Sequence, residues 1–267
     1  MMNLRNIAAG AVVVSALLAA ALLSAAPLQA GAGQPKDVMH PCPVLLELYT
    51  SQGCNTCPPA DVLLEQIEKR DDVIGIAFHV DYWDYLGWKD TLALQQNAPR
   101  QRAYAKTMGA SYVYTPQMVV DGLGHFNGSD KRAIDRAIDD AKMMATVALT
   151  PTWQGRDRLV VDLPESGSET VGPALARGAS IWLAGIDDAR EVPIARGENA
   201  GKTLRYTNIV RSLERLGEWD GMAARVPVDA GALRAAGRDR AVLIVQAPEM
   251  GRIIGAVEVR LDSAPGS

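Results

Sequence analysis

The stretch from Val44 to Ala60 places the tightest limits on what this chain can fold into. Val44–Tyr49 is an apolar run that reads as a buried strand, apolar on both faces. Thr50, Ser51, Gln52 and Gly53 break it, Cys54 and Cys57 follow, and Pro58-Pro59 open a helix-compatible segment. A strand, a short loop and a Cys-x-x-Cys at a helix start is the geometry of a redox dithiol. The unpaired N–H groups and positive dipole end of that helix favour a thiolate, which is the nucleophile. Cys54 is therefore expected to be the more exposed and more acidic thiol, and Cys57 is close enough to attack a mixed disulfide formed on it. A zinc site would need a second cysteine pair or two histidines. Only Cys42, His40, His79 and His125 are available, at spacings that form no such pair. A structural staple gains little from so short a loop.

The N-terminus sets the compartment. A basic start at Arg5, an apolar core over Ile7–Leu23 and small residues up to Ala30-Gly31-Ala32 form a signal-peptide pattern over 1–32. The alternative is an uncleaved membrane anchor, because the apolar run is just long enough to span. The mature protein is expected to be exported, periplasmic or secreted, with no membrane contact beyond this segment. Cysteines tend to pair in an oxidising compartment, and the odd count leaves Cys42 over. With 267 residues, a net charge of −4 and no Lys/Arg block, nucleic acid and anionic membrane surfaces are not expected partners. No cofactor is implied, and no metal is expected to be needed for folding.

After a Gly/Pro-bearing tether over 33–43, a first domain is expected over 44–146. Ala60, Leu63, Leu64 and Ile67 keep the spacing of one buried helix face, with Asp61 and Glu65 early enough to suit the dipole. Val73–Val80 is a second apolar strand, made parallel to the first by the helix between them. It runs into the aromatic and acidic segment Asp81–Asp90 at a strand's carboxyl end, where open α/β sheets place their sites. Trp83 there can frame a peptide groove or roof the core. His79 and Asp81 fall on one strand face, which makes them candidates for proton transfer to Cys57; the bland alternative is a histidine that holds the aromatic segment. A helix from Asn97 to Met108 is expected next, then Tyr112–Val120, a turn at Asp121-Gly122, a short return over Leu123–Phe126 and a helix carrying Ile134, Ala137, Ile138, Ala141 and Ala145. This order is that of the minimal thioredoxin fold.

The first domain resembles a thioredoxin-like domain. The chain as a whole resembles an uncharacterised family of secreted bacterial thioredoxin-like proteins, known only as a domain of unknown function. The resemblance is carried by Tyr49–Asp61, His79–Asp90, Tyr114–Gly122 and Arg196–Asn208. It implies thiol–disulfide exchange with Cys54 attacking and Cys57 resolving, and a cis Pro116 facing the dithiol. With Pro116 in that place, the Thr115 backbone is open to pairing with a substrate peptide. The central pair is Asn55-Thr56, which departs from the Gly-Pro of thioredoxin, so the direction of electron transfer does not carry over.

Beyond Met144 the texture changes to short strand-like runs separated by Gly, Pro and Asp. A mainly β, sandwich-like C-terminal domain is expected over 147–262, followed by a tail over 263–267. Leu204–Leu216 is ambiguous, since its second half also reads as helix. This half is either a rigid support or a platform for a partner protein. Glu198–Lys202 is polar and Gly-bearing; it reads as a hairpin tip and could equally lean over the dithiol. The function these features favour is that of an exported thiol–disulfide oxidoreductase acting on protein or small-molecule thiols and disulfides, with an unidentified recycling partner. Two alternatives stay open: a Cu(I) carrier using Cys54 and Cys57 with Met118 or His79, and a non-catalytic interaction module.

Overall fold

A computed structural model describes residues 42–266 apart from 145, 167–170 and 172–177. The expected leader, the tether as far as residue 41, Ala145 of the third helix and Ser267 of the tail lie outside the described residues.

The first half is built on two fully buried strands. β1 (Val44–Thr50) and β2 (Val73–His79) pair in parallel, in register from Val44 on Val73 to Thr50 on His79. The crossover is α1 (Pro58–Ile67), whose prolines fill the first helical positions, where no N–H partner is needed. A one-turn 3₁₀ helix at Asp84–Leu86 precedes α2 (Asn97–Thr107). β3 (Gln117–Val120) then runs antiparallel to β1 and forms a hairpin with β4 (Gly124–Asn127). Both Asp121 and Gly122 in that turn have positive φ, which explains the Asp-Gly pair. α3 (Lys131–Lys142) closes the half, with the Asp130 carboxylate accepting from Ala133 N at 3.0 Å as its N-cap.

Strand alternation divides the core. Leu46 and Leu48 pack with Leu63, Leu64 and Ile67 of α1 and Ile134 and Ile138 of α3. Leu45, Tyr49, Ile76 and Phe78 face the other way, with Ala98 and Tyr104 of α2.

The second half adds strands to the same sheet. β5 (Thr150–Trp153), β6 (Arg158–Leu163) and β9 (Ala224–Asp229) form a separate three-stranded sheet. β7 (Ala179–Pro193) and β8 (Thr203–Trp219) make a long antiparallel hairpin. α4 (Ala230–Ala235) leads into β10 (Arg240–Gln246) and β11 (Ile253–Arg260). The ambiguous run Leu204–Leu216 is strand throughout, because its ladder with β7 takes up its backbone groups. β8 also meets β2 in parallel at Ala77–Ile209. One eight-stranded sheet, in the order β11-β10-β7-β8-β2-β1-β3-β4, therefore crosses residue 146, where the sequence suggests a boundary. On β10, Val242 and Ile244 join the core under α2, while Leu243 and Val245 face the small sheet through Leu159, Val161 and Val228.

Candidate redox site

Cys54 and Cys57 are joined by a disulfide, with Cα atoms 5.4 Å apart. The loop before them is a set of local bonds: Cys54 N donates to Ser51 O at 3.2 Å, and Cys57 N to Cys54 O at 3.4 Å. Cys57, rather than Cys54, is the N-cap of α1, and Asp61 N donates to its carbonyl at 3.2 Å. Both cysteines are buried, at 1% exposure for Cys54 and 0% for Cys57, so neither is presented openly to solvent. The residues at the surface are Asn55 and Thr56, and the Thr56 hydroxyl lies 3.4 Å from Cys54 Sγ. Cys42 stands apart; its thiol donates to Val147 O, and burial is the main cause that raises its pKa.

Trp83 connects the disulfide loop to the third strand. Its indole N–H donates to Thr115 Oγ1 at 2.8 Å. Its Cβ would lie 2.9 Å from a Cβ on Gly53, so that position admits only glycine without a shift. The Thr115–Pro116 bond is cis. A Cβ on Gly128 would meet Pro116 Cβ at 2.9 Å and Ala60 Cβ and Leu48 Cδ1 at 3.0 Å, so Pro116 sits with the first turn of α1 and the end of β1. Outside this wall, Tyr85 stacks on Trp83 and is exposed, and exposed Tyr112 lies beside Tyr114. Trp83 thus packs on the disulfide loop and bonds Thr115, which ties that loop to the third strand. Met118 packs in the α1–α3 core.

Behind the disulfide lies a buried polar cluster. His79 ends β2 with its Nδ1 2.9 Å from Asp90 Oδ2, and Asn97 Nδ2 donates to its carbonyl at 2.7 Å. The carboxylate that reaches His79 is that of Asp90. Asp81 comes after the strand has ended, and its carbonyl closes the turn onto Asp84 N. Asp90 Oδ2 also accepts from Gln52 N at 2.8 Å, so one carboxylate ties the histidine to the loop that carries Cys54. Burial alone would raise the Asp90 carboxyl. His79 and the N–H groups of Gln52 and Leu92 outweigh it and hold the carboxyl below its ordinary range.

Asp61 is one turn into α1 from Cys57, on the same helix face. Its place in the sequence suits the helix dipole, but the structure also buries it, at 7% exposure. Burial pushes its carboxyl up to about 7, opposed by His79 and the Thr50 hydroxyl, with Asp90 adding to the rise. Tyr206 of β8 packs edge-on against His79, ring centroids 4.7 Å apart, and burial, Asp61 and Asp90 push its phenol well up. His79 Nε2 and Tyr206 Oη are buried without a hydrogen-bond partner, an uncommon condition for polar side-chain atoms. Among the described residues, no group of three or more His, Cys, Asp and Glu side chains is placed to hold a metal ion.

The third layer comes from the β7–β8 loop, residues 194–202, which is a hairpin tip and also leans over the dithiol. Asn199 is fully buried, and its amide donates to Gln52 O and Cys54 O, each at 3.0 Å. Lys202 Nζ donates to Asn199 Oδ1 at 2.9 Å, and the Glu198 carboxylate accepts from Asn55 N at 3.3 Å. Asp61, Asp90, Tyr206 and Asn199 are the site residues that the sequence reading did not single out. The signal available for Asn199 was the polar Glu198–Lys202 run, and for Asp90 the density of acids after β2.

The fold and site together define a mixed-sheet α/β protein with a buried Cys-x-x-Cys disulfide at a helix N-terminus. The chain belongs to the family described as protein of unknown function (DUF1223), whose model matches residues 45–246. Among solved structures it is similar to protein AGR_C_4864 from Agrobacterium tumefaciens, at 28% identity and a TM-score of 0.71, covering 84% of this chain and 96% of that one. It is also similar in fold to HBP35 of Porphyromonas gingivalis, at 16% identity and a TM-score of 0.57, covering 85% of this chain and 78% of that one. No curated protein matches the chain. No described helix is long and apolar enough to cross a membrane.

Proposed function

We propose that this protein is an exported thiol–disulfide oxidoreductase with a thioredoxin-like first half, and that Cys54 and Cys57 are its exchanging pair. The observation that carries the reading is the disulfide at the N-terminus of α1 with a buried, readily protonated carboxyl, Asp61, one turn below Cys57. The sheet order β2-β1-β3-β4, with β1–β2 parallel and β3 antiparallel, supports the thioredoxin-like assignment. A formed disulfide and the leader pattern support an oxidising compartment.

The exchange runs as follows. A substrate thiolate attacks Cys54 Sγ, the bond to Cys57 breaks, and Cys57 leaves as a thiolate that takes a proton from Asp61. A second substrate thiolate then attacks the substrate sulfur of the mixed disulfide, releasing oxidised substrate and the Cys54 thiolate. In reverse, a reduced Cys54 thiolate attacks a substrate disulfide, and Asp61 accepts the Cys57 proton as the internal bond closes. A group with a pKa near 7 suits both directions at neutral pH. His79, fixed by Asp90 in the same buried cluster as Asp61, is the second residue that assists the same transfer. Thr115, Pro116 and Trp83 form the wall against which an extended peptide or a small thiol lies, with exposed Tyr85 extending it.

The test is trapping. A Cys57→Ser protein incubated with glutathione disulfide or a peptide disulfide is expected to hold one adduct on Cys54, read by intact mass, and Cys54→Ser is expected to hold none. If Cys57→Ser holds no adduct, and the wild-type pair does not equilibrate in glutathione buffers between about −300 and −120 mV, the reading fails.

A further inference from the structure

Cys54, the nucleophile of the proposed exchange, is buried, and a segment 140 residues and more along the chain lies against its backbone. The β7–β8 tip is a preformed unit. Ile194 N donates to Lys202 O and Gly201 N to Ile194 O, both at 2.8 Å, and Lys202 N bonds Asn199 O at 3.2 Å. Gly197 and Gly201 take positive φ, at 80° and 83°, which lets the tip turn this tightly. The ties from this unit to the disulfide loop are few and specific: two bonds from the Asn199 amide, one acceptor from Glu198, and Gly197 against Trp88, where a Cβ would come 3.3 Å from Trp88 Cβ. Trp88 Nε1 in turn donates to Gln52 Oε1 at 2.8 Å, so the tip and the aromatic segment hold Gln52 from two sides.

The donor count is decisive for Asn199. Gln52 O and Cys54 O are carbonyls of an irregular loop outside the helix and strand ladders, and the turn bond from Cys57 N at 3.4 Å takes up only one lone pair of Cys54 O. A buried amide that takes both, while Lys202 holds its oxygen, fixes the loop geometry around Cys54 and seats the tip with the same group. Glu198 adds a second tie to the same loop, its carboxylate accepting from the N–H of Asn55, the residue that follows Cys54.

We infer that residues 194–202 are a cap on the dithiol, that Asn199 is the positioning residue which latches it, and that exchange at Cys54 waits for the cap to lift. The biological meaning of this gate rests on the oxidoreductase reading, but the gate itself can be measured without any substrate. Dithiothreitol serves as the probe: its thiolate attacks Cys54 Sγ, Cys57 leaves and is protonated, and the probe's second thiol closes its ring and frees Cys54. The reduced fraction of the full-length protein is read by alkylation and intact mass against probe concentration.

The wild-type rate is expected to rise with dithiothreitol and then level off at the rate of cap opening. Asn199→Ala is expected to reduce about tenfold faster at the plateau, the shift that losing one or two neutral hydrogen bonds produces. Arg100→Met, which weakens the fold away from the cap, serves as the control and must leave the plateau in place. The inference is overturned if the wild-type rate stays proportional to probe at all concentrations, or if Arg100→Met accelerates reduction as much as Asn199→Ala does. Should Asn199→Ala fail to fold, Asn199→Asp decides. It keeps the side-chain volume but removes the amide that donates to Gln52 O and Cys54 O, and a plateau rate unchanged within about twofold, less than one lost hydrogen bond allows, overturns the inference. A protein that shows the plateau but forms no mixed disulfide with peptide or glutathione retains the cap and loses the oxidoreductase reading, so the two failures are distinguishable.

Discussion

Asp61 combines a charge, a depth and a neighbour that a helix-surface acid would not have. Burial raises its carboxyl to about 7, and the same cause raises Asp121 to about 7 at the β3–β4 turn. Both carboxyls therefore hold a proton in the folded chain at pH values where the unfolded chain, with ordinary carboxyls near 4, has lost it. Between about pH 4 and pH 7 the native state binds more protons, so stability falls as pH rises through that window. Asp61→Asn removes Asp61's share of the slope. Relative to wild type, the variant is expected to gain stability between pH 5 and pH 8, by something on the order of 1 to a few kcal/mol. Urea denaturation at the two pH values measures it. A wild-type-to-variant difference that is the same at both would mean that Asp61 titrates as an ordinary surface acid and cannot hold the Cys57 proton.

α2 shows how an element can be buried without an apolar stripe. Its buried positions include Asn97, Arg100 and Gln101 alongside Ala98, Tyr104 and Ala105. Arg100 reaches both oxygens of Glu47 on β1 at 2.8 Å, the Tyr104 phenol donates to the same carboxylate at 2.6 Å, and Gln246 of β10 joins through Arg100 Nη2 at 3.2 Å. The guanidinium also lies over the rings of Phe78, Tyr104 and Trp182. This network docks α2 onto strands from both halves of the chain, and the bidentate pair fixes its rotation. Arg100→Met removes the cation and leaves a buried carboxylate, which costs about 3–5 kcal/mol in comparable sites. A urea midpoint shift equivalent to less than about 1 kcal/mol would show that the tyrosine and glutamine partners alone satisfy Glu47. The sequence signals for α2 are its prolyl first turn and the terminal Gly109; the docking surface is not legible, because polar residues in a helix read as solvent-facing.

At the scale of the molecule, the sheet decides how the halves depend on each other. β8 lies on the open side of β2, and its hairpin loop supplies Asn199 while the strand supplies Tyr206. A fragment ending at residue 146 would expose the β2 edge and uncover Ile76 and Phe78, which share a core with Ile186, Val210, Val242 and Ile244. That fragment is expected to lack a dispersed amide NMR spectrum, whereas the full chain has one. A well-dispersed spectrum from residues 42–146 would establish an independently folding first domain. The strands themselves are legible: apolar runs give β1, β2 and β10, and turn signals separate β5, β6 and β9. The length of β7 and β8 is not, because polar and Gly-bearing ends that read as loop are recruited into one ladder of 15 and 17 residues.

The sequence by itself determined the dithiol, the strand–helix context that makes it a redox candidate, the Thr115-Pro116 element after α2 and the alternation of helices and strands in the first half. Each of these rests on local chemistry: side-chain periodicity, prolines without N–H groups, and two thiols three residues apart. Tertiary structure alone decided which carboxylate meets His79, that the acid one turn from Cys57 is buried, and which side chain bonds the Cys54 carbonyl. Asp90 and Asn199 bond partners 38 and 145 residues away in the chain. In a linear reading such residues are indistinguishable from solvent-facing ones, because the energy that sets their role comes from desolvation and pairing, and both exist only once the sheet has brought the two halves together.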